Sequence, residues 1–151
     1  MSIFPTKVLV ALDGSEEATL AATTAVDVAQ STGSELHLVN VRPMTMYIDP
    51  STDRVRRIAD VEEAAKREAQ EFLDAQLKQI QDAGGSVAQA HISLGRPDEE
   101  IVGLADEIEA GLVVMGSRGM GGLKRLLMGS VSDSVVRHAH CPVLVVRKQA
   151  R

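Results

Sequence analysis

The sequence contains no tryptophan, one tyrosine and two phenylalanines in 151 residues, and its single cysteine is Cys141. Without paired cysteines there is no internal disulfide, so stability must come from an ordinary packed core. Without aromatic side chains there is no platform on which successive bases could stack. Positive charge is not in excess either: 16 Lys and Arg stand against 21 Asp and Glu, a formal net charge of −5, which argues against a domain that wraps a nucleic acid. Long apolar runs are also missing. The first, Val8 to Leu12, ends at Asp13 and is too short for a signal-peptide core, and no run approaches the roughly 20 residues of a membrane span. The expectation is a cytoplasmic protein with neither membrane nor nucleic acid among its partners.

Hydrophobic residues nevertheless make up 44% of the chain, so the core is built from Val, Leu, Ile, Ala and Met. Short apolar runs at Val8 to Leu12, Leu36 to Val41, Leu112 to Met115 and Val143 to Val146 read as strands. Their nearly unbroken character is that of strands covered on both faces. A further strand, Val87 to Ser93, alternates between polar and apolar and is expected at an edge with a wet outer face. Helical spacing fills the gaps. Ala18, Ala21, Ala22, Ala25, Val26 and Ala29 form a stripe in a helix from Ser15 to about Thr32, ended by Gly33. A longer, more charged helix runs from about Thr52 to Ala83 and stops at Gly84 and Gly85. Arg54, Arg56 and Arg57 near its start belong to a solvated helix face, with Glu62 and Glu63 close behind. A third helix follows Pro97, with Ile101, Leu104, Ala105 and Ile108 spaced for burial and acidic residues at its positive end. The last spans Ser130 to about His138.

The order β-α-β-α-β-α-β-α-β, with short connections apart from Arg42 to Ser51, predicts one domain over residues 1–151. Its architecture is an open, doubly wound parallel sheet with helices on both faces. Ligands in such sheets bind beyond the carboxyl ends of the strands, where strand order reverses. That directs attention to the loops after Leu12, Val41 and Met115.

The third of these loops carries Gly116, Gly119, Gly121, Gly122 and Gly129 before Ser130 opens the last helix. Glycines let a backbone approach a phosphate and turn successive N–H groups inward, and a helix N-terminus favours negative charge. Arg118, Lys124 and Arg125 add cations. Chain physics alone leaves a second reading equally open: the glycines simply turn the chain, and Ser130 caps the helix with Asp133 three residues on. The turn is neither a P-loop nor the dinucleotide fingerprint, since no Gly-Lys-Ser or Gly-Lys-Thr occurs and Lys124 stands where a third glycine is needed. Asp13 admits the same pair of readings, because Asp-Gly-Ser before a helix is common turn and capping chemistry.

Gly116, two residues, Gly119, nine residues and then Gly129-Ser130 resembles the ATP-binding motif of the universal stress protein family. The resemblance extends to Val8-Leu-Val-Ala-Leu-Asp13-Gly-Ser15, Leu36-His-Leu-Val-Asn-Val41, Leu112-Val-Val-Met-Gly116-Ser-Arg-Gly119 and Cys141-Pro-Val-Leu-Val-Val146. It implies a Rossmann-like five-stranded sheet of order 3-2-1-4-5 and a site for ATP, with any Mg²⁺ held mainly by the phosphates. By the same resemblance Ala11, Asp13 and Val41 line the adenine and ribose pocket. Gly116, Arg118 and Gly119 follow the ribose and phosphates, and Gly129, Ser130, Val131 and Ser132 hold the phosphate end. It also implies a stress-response or signalling module that acts through dimerisation or partner binding. In a two-fold dimer the strand Val143 to Val146 would pair with its mate, covering an apolar edge that otherwise invites aggregation. The alternative is an enzyme that hydrolyses ATP slowly or phosphorylates itself at Ser117, Ser130 or Ser132. No catalytic constellation is evident around the turn. A metal on His138, His140 and Cys141 is disfavoured against a structural cysteine, and His37 and His91 read as strand residues near the surface with no role.

Overall fold

The computed structural model describes residues 2–43, 54–118 and 129–148, with the backbone alone described for 54–58. Gly119, Gly121, Gly122, Lys124 and Arg125, most of the Arg42 to Ser51 connection, and the side chains of Arg54, Arg56 and Arg57 lie outside the described residues. The elements follow as β1 Lys7–Ala11, α1 Glu16–Thr32, β2 Glu35–Arg42, α2 Arg54–Asp82, β3 Gln89–Leu94, α3 Pro97–Glu107, β4 Leu112–Gly116, α4 Ser130–His138 and β5 Val143–Val146.

Local chemistry sets the ends of α1. Ser15 is its N-cap, the Oγ accepting the Ala18 N–H at 3.1 Å, and Asp13 Oδ1 accepts the Ser15 N–H at 2.9 Å. Gly33 closes the helix in the left-handed region, φ 68°, its N–H donated to the Ala29 carbonyl. Such a C-cap costs glycine little and other residues more. The same logic fails at α4: its N-cap is Gly129, with no side-chain cap bond. The Ser130–Asp133 capping pair of the alternative reading does not form, because Ser130 is already the first helical residue and Asp133 turns to Arg137 at 3.0 Å.

All pairings are parallel, in the order β3-β2-β1-β4-β5. Successive residues of the central strands point to opposite faces, and each face has its own core. Val8, Val10, Leu36, Leu38, Leu112 and Val114 meet the alanine stripe of α1 and Leu73 and Ile80 of α2. Leu9, Val39, Val113 and Met115 meet Ile101 and Ala105 of α3 and Val135 of α4. Two covered faces explain why these strands read as nearly continuous apolar runs.

At the β3 edge the structure departs from expectation. Ala90 and Ile92 pack on the α1/α2 core, and the opposite face is not simply wet. His91 lies opposite Val39, on the same side of the sheet as His37, which is only 5% exposed. The two rings stack with centroids 5.3 Å apart. His37 Nδ1 lies 3.1 Å from His91 Nε2 and its Nε2 3.2 Å from Glu35 Oε2. His37 is thus an interior residue with polar partners rather than a surface one.

Candidate functional site

Strand β1 lies between β2 and β4, so the chain leaves its end in one direction and returns on the other side. The loops that diverge there enclose a cavity of about 470 Å³, within the range of small-molecule sites. Its wall brings together Ala11 at the end of β1 and Asp13 beyond it, Val41 of β2, Gly116 at the end of β4 and Arg118 beyond it, and Gly129, Ser130, Val131 and Ser132 at the start of α4. Of the residues expected there from the sequence, Gly119 falls outside the described residues. Apolar surface comes also from Leu12, Val39, Ile101 and Met115.

Two glycines of the turn are held in close contact within the protein itself. A Cβ on Gly116 would lie 2.9 Å from the Glu17 carbonyl carbon and 3.0 Å from the Ala18 nitrogen, so α1 approaches β4 too closely for any side chain. A Cβ on Gly129 would come within 3.1 Å of the Ser117 oxygen. Close packing is therefore one reason for glycine at each position, whatever else the turn does.

Ser117 joins four elements. Its N–H donates to the Val146 carbonyl of β5 at 2.9 Å, and its carbonyl accepts the Gly129 N–H and the Ser132 hydroxyl, the latter at 2.8 Å. Its own hydroxyl donates to Glu17 Oε2 on α1. Ser132, 2% exposed, shares its proton between Ser117 and the Gly129 carbonyl at 3.1 Å. Ser130 is exposed at the mouth of the cavity. The N–H groups of Ser130, Val131 and Ser132 belong to the first turn of α4, where no acceptor exists within the helix and the dipole is positive.

Two polar residues that sequence reasoning did not single out shape this wall. Glu17, 8% exposed, accepts the Arg118 N–H at 2.9 Å and faces the Arg118 guanidinium at 3.5 Å. Burial pushes its carboxyl upward, but the Ser117 hydroxyl, the Arg118 N–H and the Arg118 charge outweigh that and hold it below the ordinary value. Asn40, 3% exposed, donates to the Leu12 carbonyl at 2.7 Å and accepts from Arg42 Nε at 3.0 Å. In the sequence Glu17 looks like any acidic residue in a first helical turn, and nothing signals that it will meet a residue 100 positions away.

Beside the cavity, α3 and α4 are tied by Asp98. It accepts from the Ser134 hydroxyl at 2.7 Å and from Arg96 at 3.1 Å and 3.3 Å. The Ser134 bond is the largest influence holding its carboxyl low, against the upward push of burial.

Among the described residues no group of three or more His, Cys, Asp or Glu is placed to hold a metal. His138 Nδ1 lies 2.8 Å from the Ser134 carbonyl, His140 is 3.8 Å from Asp106, and burial pushes the Cys141 thiol up. Among the described lining residues the one carboxylate is Asp13, already accepting from Ser15. Among the described residues the arrangement offers anion donors and an apolar wall.

Fold and crevice together define a Rossmann-like α/β domain that opens at the carboxyl ends of its parallel strands. The model of the universal stress protein family matches residues 5–147, and the chain belongs to that family. A universal stress protein of Methanocaldococcus jannaschii is 33% identical over 142 residues, covering 94% of this chain and 82% of its own. The solved structure of the universal stress protein UspA from Lactobacillus plantarum superimposes with a TM-score of 0.80 at 32% identity, over 97% of this chain and 100% of that one. A universal stress protein solved in complex with cAMP is similar at 27% identity and a TM-score of 0.58, over 93% and 95% of the two chains. No helix among the described residues is long and apolar enough to cross a membrane.

Proposed function

We propose that this universal stress protein binds ATP in the crevice and serves as a nucleotide-dependent stress-response or signalling module in the cytoplasm. The supporting observation is the convergence of the ends of β1, β2 and β4 with the first turn of α4 on one cavity. Adenine and ribose lie against Ala11, Asp13 and Val41. The phosphates run past Gly116 and Arg118, with Gly119 continuing the path, towards Gly129, Ser130, Val131 and Ser132. The residues suit that ligand: the Val39, Val41, Ile101 and Met115 side accepts a base, and the α4 N-terminus accepts anionic oxygens. Mg²⁺ would be held mainly by the phosphates, with Asp13 the neighbouring carboxylate. Residues 1–151 act as one domain, and two copies pair through β5.

Ligand-free protein should gain about 2.7 kcal/mol of stability at a hundredfold excess of ATP over its dissociation constant, read as a thermal shift. No shift with any adenine nucleotide, cAMP included, would overturn the reading. A second reading, self-phosphorylation, draws support from Ser130 alone. Its hydroxyl is exposed at the cavity, whereas Ser117 and Ser132 are each 2% exposed and hydrogen-bonded. Phosphate release at about 1 per second or faster would favour an enzyme; tight binding with negligible release favours a sensor.

A further inference from the structure

Glu17 does not line the cavity, yet its carboxylate is where the cavity wall is anchored. Oε2 accepts both the Ser117 hydroxyl and the Arg118 N–H, and Oε1 faces the Arg118 guanidinium at 3.5 Å. Behind that pair, the Ser117 carbonyl receives the Gly129 N–H and the Ser132 hydroxyl. An acidic residue that merely favours a helix N-terminus needs no burial and no distant partner, because the dipole interaction operates at the exposed surface. Glu17 has both, and its partners Ser117 and Arg118 directly follow β4, where the wall turns towards α4.

We propose that Glu17 is a positioning residue for the phosphate end of the nucleotide site, holding the N-terminus of α4 in place through Ser117. The proposal rests on the nucleotide reading above. Glu17 itself touches no phosphate. It fixes Ser117, and Ser117 fixes Gly129 and Ser132, whose neighbours supply the first-turn N–H groups. Such groups bind an oxyanion well only when they are already aimed at it.

The two carboxylate oxygens allow the roles to be separated. Glu17→Gln leaves an amide oxygen that can take the Oε2 place and accept from Ser117 and Arg118, while the charge opposite the guanidinium is lost. Glu17→Ala removes both acceptors. Affinities for ATP and adenosine are measured by calorimetry on the full chain, with amide hydrogen exchange at Arg118 and Gly129 followed without ligand. Because charge-assisted hydrogen bonds are lost, Glu17→Ala should weaken ATP about tenfold or more and adenosine by less than about twofold. Gly129 exchange should accelerate together with that of Arg118. Glu17→Gln should keep ATP affinity within about threefold of the unsubstituted chain. Equal losses for ATP and adenosine, or unchanged Gly129 exchange, would overturn positioning. A Glu17→Gln loss as large as that of Glu17→Ala would show that the charge acts instead. Should Glu17→Ala not fold, Ser117→Ala, which removes one donor and keeps the carbonyl, carries the same comparison. If the unsubstituted chain binds neither compound, the nucleotide reading fails and the phosphate role with it, whereas the exchange measurement still decides whether Glu17 holds Gly129.

Discussion

At Gly116 the backbone of β4 touches the backbone of α1, and a methyl group there has no flexible neighbour to push aside. The atoms it would meet are the carbonyl carbon and Cβ of Glu17 and the nitrogen of Ala18. Gly116→Ala should therefore destabilise by about 1–3 kcal/mol, as overpacking of a rigid contact does, measured by urea denaturation. Gly103 is the control. It lies exposed within α3, and a Cβ there meets nothing within 4 Å, so Gly103→Ala should stabilise by about 0.4–1 kcal/mol. If both substitutions destabilise alike, close approach is not what requires glycine at Gly116. At the same scale, the Ser117 and Ser132 hydroxyls are each committed to a partner inside the protein.

Among the elements, α1 is the one shaped most closely by its neighbours. Its buried alanines Ala18, Ala21, Ala22, Ala25 and Ala29 let it lie near the sheet, which brings Glu17 within reach of Ser117. The elements α3 and α4 are joined beside the crevice by Asp98 and Ser134. Like β3 at the other edge, strand β5 has a neighbour on one side only, but where β3 alternates, β5 is wholly apolar. Leu144 is 37% exposed on it, with Val136 of α4 at 45% and Leu20 of α1 at 41%, and an uncharged edge of this kind calls for a cover. If a second copy supplies it, Leu144→Lys should convert a dimer to a monomer in light scattering at micromolar concentration, with the circular dichroism unchanged. A dimer that survives the lysine would place the interface elsewhere.

For the whole molecule, the buried titratable groups predict loss of stability in acid in two stages. His91 is held below the ordinary histidine value, first by burial and then by His37, with Glu107 opposing; Glu35 faces the pair through His37. The unfolded chain therefore takes up this proton first, and stability present above about pH 6.5 falls as pH drops towards the lower folded value. Asp98 and Glu17 are held below the ordinary carboxylate value, so their contribution is complete above about pH 4 and is lost below it. In urea melts across pH, His91→Gln should flatten the upper stage and Ser134→Ala the lower; unchanged profiles would overturn the assignment. Much of this molecule was legible beforehand. Unbroken runs such as Leu112 to Met115 announce doubly covered strands, and the alternation of strands and helices announces their parallel winding, because both are local periodic patterns. The marked strand ends pointed to the loops after Leu12, Val41 and Met115, while the assignment of Ala11, Asp13, Val41 and Gly129 to one crevice came from the family resemblance; all four line the cavity. Only the tertiary structure brought Glu17 to Ser117, stacked His37 on His91 and turned Ser132 inward. Those contacts join residues far apart in sequence and depend on which strand lies beside which, and a single chain's local pattern carries no record of that distance.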